Sequence, residues 1–124
     1  MSLIPYPQEE AYKSALLLQA TLFRAEGQEE DAASRFAEVA TLEERLAQRA
    51  DAEGEGLRAI RSRFSAASAW ANAGDFHHAL TLLQTLEQRS DVPDLLKERA
   101  RTFAETLRLQ RRQWQETLQE VSLS

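Results

Sequence analysis

Ala67-Ser68-Ala69-Trp70-Ala71-Asn72-Ala73-Gly74-Asp75-Phe76-His77-His78-Ala79-Leu80-Thr81-Leu82-Leu83-Gln84-Thr85-Leu86 is the stretch that decides the fold. Ala67, Trp70 and Ala71 fall three and four apart, the period of one helix face. Gly74-Asp75 closes that helix and opens the next, glycine supplying the φ freedom of a helix C-terminus. Ala79, Leu82, Leu83 and Leu86 then carry the stripe of a second helix. The stretch reads as helix, tight turn, helix.

The same pattern stands earlier in the chain. Ala20, Phe23, Gly27, Ala32, Phe36 and Val39 match Ala67, Trp70, Gly74, Ala79, Leu83 and Leu86 one for one; 67 − 20 and 86 − 39 both give 47. Ala100 and Phe103 open the pattern a third time, without its second half. Recurring helix pairs signal a repeat architecture, and such arrays mostly bind other molecules.

Composition agrees with an all-α chain. Ala, Leu, Glu, Gln and Arg, the strong helix formers, dominate 124 residues that hold only four Gly and three Pro. That length predicts one domain with a modest core. A net charge of −5, from 20 acidic and 15 basic residues, argues against bulk nucleic-acid binding. No cysteine is present, which excludes disulfides, thiolate catalysis and Cys-ligated zinc. No apolar run reaches the length of a membrane span, and no signal peptide opens the chain; a cytoplasmic location fits. Met1-Ser2-Leu3 is compatible with a vector-derived start, and the chain with being part of a longer one.

Residues 1–7 read as an extended lead-in bounded by Pro5 and Pro7. A single domain over 8–124 follows, with units at about 8–50 and 57–90. The first helix, about 8–26, carries Ala11, Tyr12, Ala15, Leu16, Leu18, Leu22 and Phe23 as its apolar positions. A second helix, about 28–50, has Glu29, Glu30 and Asp31 at its positive end. Charged, Gly-bearing Asp51–Gly56 reads as a linker. The third helix, about 57–73, has the stripe Leu57, Ile60, Phe64, Ala67 and Trp70; the fourth covers 76–88. Ser90-Asp91-Val92-Pro93 predicts a turn and a helix start, with Pro in the first turn. A long capping helix runs over about 94–121.

These residues resemble tetratricopeptide repeats, carried by Leu16, Ala20, Phe23, Gly27, Ala32, Phe36 and Val39 in the first unit and by Ala67, Trp70, Gly74, Ala79, Leu83, Leu86 and Pro93 in the second. The resemblance implies a right-handed superhelix of antiparallel helix pairs, about five helices in all, whose first helices line a concave groove. The chain departs from that family in its 47-residue first spacing, in Arg63 at the early large position, and in Val39 and Leu86 where a small residue is usual.

By that resemblance the groove candidates are Leu17, Thr21 and Arg24, then Arg61, Phe64, Ser65, Ser68 and Asn72, then Lys97, Arg101 and Arg108. A protein or peptide partner is implied. The locally basic set suits an acidic segment, because Arg pairs with carboxylate in a bidentate fork; a solvated, internally salt-bridged face is the alternative. His77 and His78 are adjacent, so they point about 100° apart on a helix and read as exposed residues, not a metal pair. Glu9-Glu10, Glu29-Glu30-Asp31 and Glu43-Glu44 suit helix starts and exposed faces. No phosphate loop or catalytic constellation is legible, so neither enzyme activity nor a cofactor is expected. Trp114, Leu118 and Val121 continue the last helix's stripe past what one preceding unit can cover. They either fold back, await a further repeat, or mark a self-association surface, the reading favoured here, with a homodimer as its product.

Overall fold

The computed structural model describes residues 6–123. Among these are five helices and no strand: α1 (Tyr6–Ala25), α2 (Glu29–Ala52), α3 (Gly56–Asn72), α4 (Phe76–Gln88) and α5 (Asp94–Leu123). Each packs chiefly on its neighbours in sequence, α1 on α2, α2 on α3, α3 on α4 and α4 on α5. Side-chain pairings give their direction. Glu9 pairs with Arg49, and Lys13 with Glu43, while Gln19 meets Arg35. The partner's number falls as α1 advances, so α1 and α2 run antiparallel. Asp51 with Arg63 and Glu44 with Trp70 give α2 and α3 the same relation.

Three of the four connections use one backbone device. Gly27, Gly54 and Gly74 stand just past the ends of α1, α2 and α3, with φ of 76°, 76° and 87°. At each, the glycine N–H and the next N–H fold back on carbonyls of the last turn. Gly27 N–H donates to Arg24 and Gln28 N–H to Phe23, and the same two bonds recur at Gly54-Glu55 and Gly74-Asp75. This double bond satisfies carbonyls that the helix end would leave unpaired, and it needs a left-handed residue that glycine supplies at little steric cost.

The helix bounds refine the sequence reading at four points. α1 begins at Tyr6, so Pro7 lies in its first turn, where the missing N–H would have had no helical partner anyway. The lead-in is thus shorter than 1–7, and its residues 1–5, with Met1–Leu3, lie outside the described residues. The expected linker Asp51–Gly56 contracts to Glu53–Glu55, because α2 continues to Ala52 and α3 starts at Gly56. Pro93 stands just before α5, its carbonyl accepting the N–H groups of Leu96 and Lys97 at 2.9 and 3.0 Å.

The main core joins α3, α4 and α5 through Ile60, Ala67, Leu83, Leu86, Ala100 and Leu107. Two smaller clusters, around Leu16–Val39–Ala40–Ala69 and around Ala20–Ala32–Phe36, hold the α1–α2 hairpin and its contact with α3. The repeated alanines are small where helices cross closely. Not every expected core position is buried. Ala11, Tyr12, Ala15, Leu18 and Leu22 of α1 are exposed because α1 has a neighbour on one side only, and Leu57, in the first turn of α3, is exposed as well.

An ion network ties the end of α2 and the middle of α3 to the α4–α5 loop. Asp51 accepts from Arg63 at 2.6 Å and from Arg89 at 3.3 Å, and Arg89 also reaches Asp91 at 2.6 Å. Burial by itself would raise the Asp51 pKa, but the two guanidiniums outweigh it and hold the carboxyl below its ordinary 3.8. A depressed carboxylate pKa contributes stability above the unfolded value and loses it as pH falls through the folded one. Asp51→Asn is therefore expected to lower stability at pH 7 by about 1 kcal/mol, a surface-discounted figure. The wild-type advantage should shrink as pH drops below 3.8, which urea titrations at pH 7 and pH 3 would measure.

Candidate functional site

A groove of about 260 Å³ opens between α1 and α3, floored by α2. Leu17 of α1, Phe36 and Val39 of α2 and Ala69 of α3 give it apolar walls; Ser65, Ser68 and Asn72 line its α3 side. The Ser65 and Ser68 hydroxyls have no hydrogen-bond partner among the described residues, whereas the neighbouring Thr21 hydroxyl donates to the Leu17 carbonyl at 2.9 Å. Asn72 is held in place, its amide donating to the Ser68 carbonyl at 3.0 Å.

At the floor, Lys13 Nζ lies 2.6 Å from Glu43 Oε1, and Glu43 is only 2% exposed. Lys13 also reaches Glu10 at 2.6 Å. Burial alone would lower the Lys13 pKa, but the two carboxylates outweigh it and raise the ammonium above its ordinary value. The expectation that Glu43 sits on an exposed face is thus corrected: it is buried, and Lys13 makes that burial tolerable. Sequence reading missed Lys13 and Glu43 as groove residues. The signal lay in hairpin register, since the two stand at similar distances on either side of Gly27.

Arg24 closes one end of the groove. Its Nη1 donates to Asn72 Oδ1 at 3.1 Å, Nη2 to the Asn72 carbonyl at 2.6 Å, and Nε to Glu29 at 3.3 Å, with the guanidinium 4.7 Å above the Phe36 ring. It ties α1 to the end of α3. The other basic candidates lie apart from this groove. Arg101 Nε donates to Glu87 of α4 at 3.1 Å. Arg61, Lys97 and Arg108 make no ion pair among the described residues. Lys97, Arg101 and Arg108 share one face of α5 by their spacing.

His78 also departs from expectation. It is half-buried and stacks on Trp70 with ring centroids 4.1 Å apart, its Nε2 3.1 Å from Glu44. Trp70 Nε1–H donates to the same carboxylate at 2.8 Å. His77 is exposed. Among the described residues, no three His or carboxylate side chains gather to hold a metal ion, and no helix is long and apolar enough to cross a membrane.

Trp114, Leu118 and Val121 are exposed and do not fold back on the domain. The physical reason is length. At 1.5 Å per residue, α4 with 13 residues spans about 20 Å and α5 with 30 spans about 45 Å. Comparison with family models, curated proteins and solved structures finds no match.

Proposed function

We infer that the chain is a non-catalytic protein-interaction module that seats a peptide or protein segment in the groove between α1 and α3. Serial antiparallel packing, read with the 47-residue pattern, supports a tetratricopeptide-like right-handed array with α5 as its capping helix. One observation carries the binding reading: two uncommitted hydroxyls face apolar walls across a groove wide enough for a side chain. Such a surface takes an apolar residue while hydrogen-bonding the peptide main chain. Arg61, one turn before Ser65 on the same face of α3 and without an ion pair among the described residues, favours an acidic residue beside that segment.

Selection from a phage-displayed library of random peptides tests this. Sequences should enrich on the wild type, carry Asp or Glu beside an apolar residue, and lose at least tenfold in affinity on Ser68→Arg. Arg61→Glu should remove the acidic preference. Peptides that bind Ser68→Arg as well as wild type would refute the groove. A second reading, a scaffold pairing through α5, is favoured by the exposed Trp114, Leu118 and Val121.

A further inference from the structure

The outer face of α1 has the make-up of an interface. Ala11, Ala15, Leu18, Leu22 and Ala25 repeat four and three apart, the spacing of a helix–helix seam, and all five are exposed, Leu18 at 61% and Leu22 at 53%. Tyr12, at 57%, stands on its edge. The exposed neighbours Ser14, Gln19 and Thr21 carry no charge. The four charged side chains of α1 are engaged elsewhere: Glu9 with Arg49, Glu10 and Lys13 with each other and Glu43, and Arg24 with Asn72 and Glu29. In a chain with 28% charged residues, a helix face with none matches the charge-depleted centre of a protein interface. Beside Tyr12, α2 contributes Ser34, Glu38, Thr41 and Arg45 around a groove of about 390 Å³, a polar rim.

We propose that this face pairs with its own copy, giving a two-fold dimer in which two α1 helices lie antiparallel. The spacing is self-complementary. Turned about Leu18, that residue meets its own copy, Ala15 faces Leu22 and Ala11 faces Ala25, so every pairing is reciprocal, as an isologous contact requires. Charge selects the same occupant. A two-fold axis sets like residues near each other, and a protein of net charge −5 repels its copy through any acidic face; the α1 seam carries no charge to oppose itself, and the α2 rim carries one of each sign, Glu38 and Arg45. Area is adequate, because α1 and the α2 rim side by side, about 30 Å long and about 20 Å across, offer roughly 600 Å² in projection. Corrugation brings that towards the roughly 800 Å² per partner of a standard interface. The C-terminal stripe offers three residues with Arg111 on its flank, which a two-fold would set near its own copy. The proposal is independent of the groove, whose α1 residues Lys13 and Leu17 lie on the helix's other flank.

Light scattering across a concentration series is the test. The mass should approach twice 14.0 kDa at high concentration and stay at 14.0 kDa in Leu18→Glu/Leu22→Glu, with unchanged helical circular dichroism. Trp114→Asp should leave the dimer intact. Because the chain lacks cysteine, single thiols report geometry cleanly. Leu18→Cys should crosslink to itself on oxidation, and Ala11→Cys should crosslink to Ala25→Cys but not to itself. A monomer at every concentration, a dimer surviving Leu18→Glu/Leu22→Glu, dissociation by Trp114→Asp, or efficient self-crosslinking of Ala11→Cys would each overturn the proposal.

Discussion

Leu83→Ala is expected to cost about 3 kcal/mol of stability, within the range for a buried leucine truncated to alanine. Leu83 is 0% exposed and sits in the cluster that joins α3, α4 and α5. The loss has two parts, the transfer free energy of the removed methyls and the cavity left behind. Close-packed alanines such as Ala67, Ala79 and Ala100 surround the site and cannot reach in to refill it. For a domain of this size the melting temperature should fall by roughly 12 °C. Leu57→Ala is the control with identical chemistry on an exposed residue, 59% exposed and outside both proposed surfaces, and should change stability by less than about 0.5 kcal/mol. Urea unfolding of both variants measures the contrast. A Leu83 loss below that of Leu57 would mean the packing of α4 is misassigned.

Lys13→Ala should cost about 2–3 kcal/mol. Removing one partner of a buried ion pair leaves the other charge without compensation, at about 3–5 kcal/mol when fully enclosed. Lys13 keeps 21% side-chain exposure, so solvent screening takes part of that away. Replacing both residues by leucine removes the stranded charge, and the double variant should recover most of the loss. The pH dependence has a definite sign. A lysine whose folded pKa is raised contributes its full stability below the unfolded value of 10.5 and loses it as pH rises through the folded value. The gap between wild type and Lys13→Ala should therefore hold from neutral pH to about pH 10 and close above it. A gap that widens in alkali would contradict the pairing.

The helical pattern was legible because the period of three and four is carried by residues whose size matters, Ala20, Ala67 and Ala100 at close crossings and Phe23 and Trp70 beside them. The turns at Gly27 and Gly74 were legible for the same reason, since few residues other than glycine accept their backbone geometry. Gly54 uses the same turn yet read as part of a linker, because its charged neighbours Asp51 and Glu53 resemble a loop until Arg63 and Arg89 draw Asp51 into the fold. Ser65, Ser68 and Asn72 were named through the resemblance to tetratricopeptide repeats, whose first helices line the groove, and they line the cleft between α1 and α3. Lys13 and Glu43 were not named, because burial of a charge depends on a partner distant in sequence. Apolar spacing also overstated the core of α1: Leu18 and Leu22 carry the right period for packing but have no neighbouring helix to pack on.

Backbone amide shift mapping of the wild-type protein, titrated with a peptide selected from the random library, tests the binding reading most directly. The account predicts that the shifts concentrate at Leu17, Val39, Ser65, Ser68, Ala69 and Asn72 and vanish in Ser68→Arg. Shifts centred instead on the outer face of α1, or on Trp114, Leu118 and Val121, would show that the groove between α1 and α3 is not where this chain meets its partner.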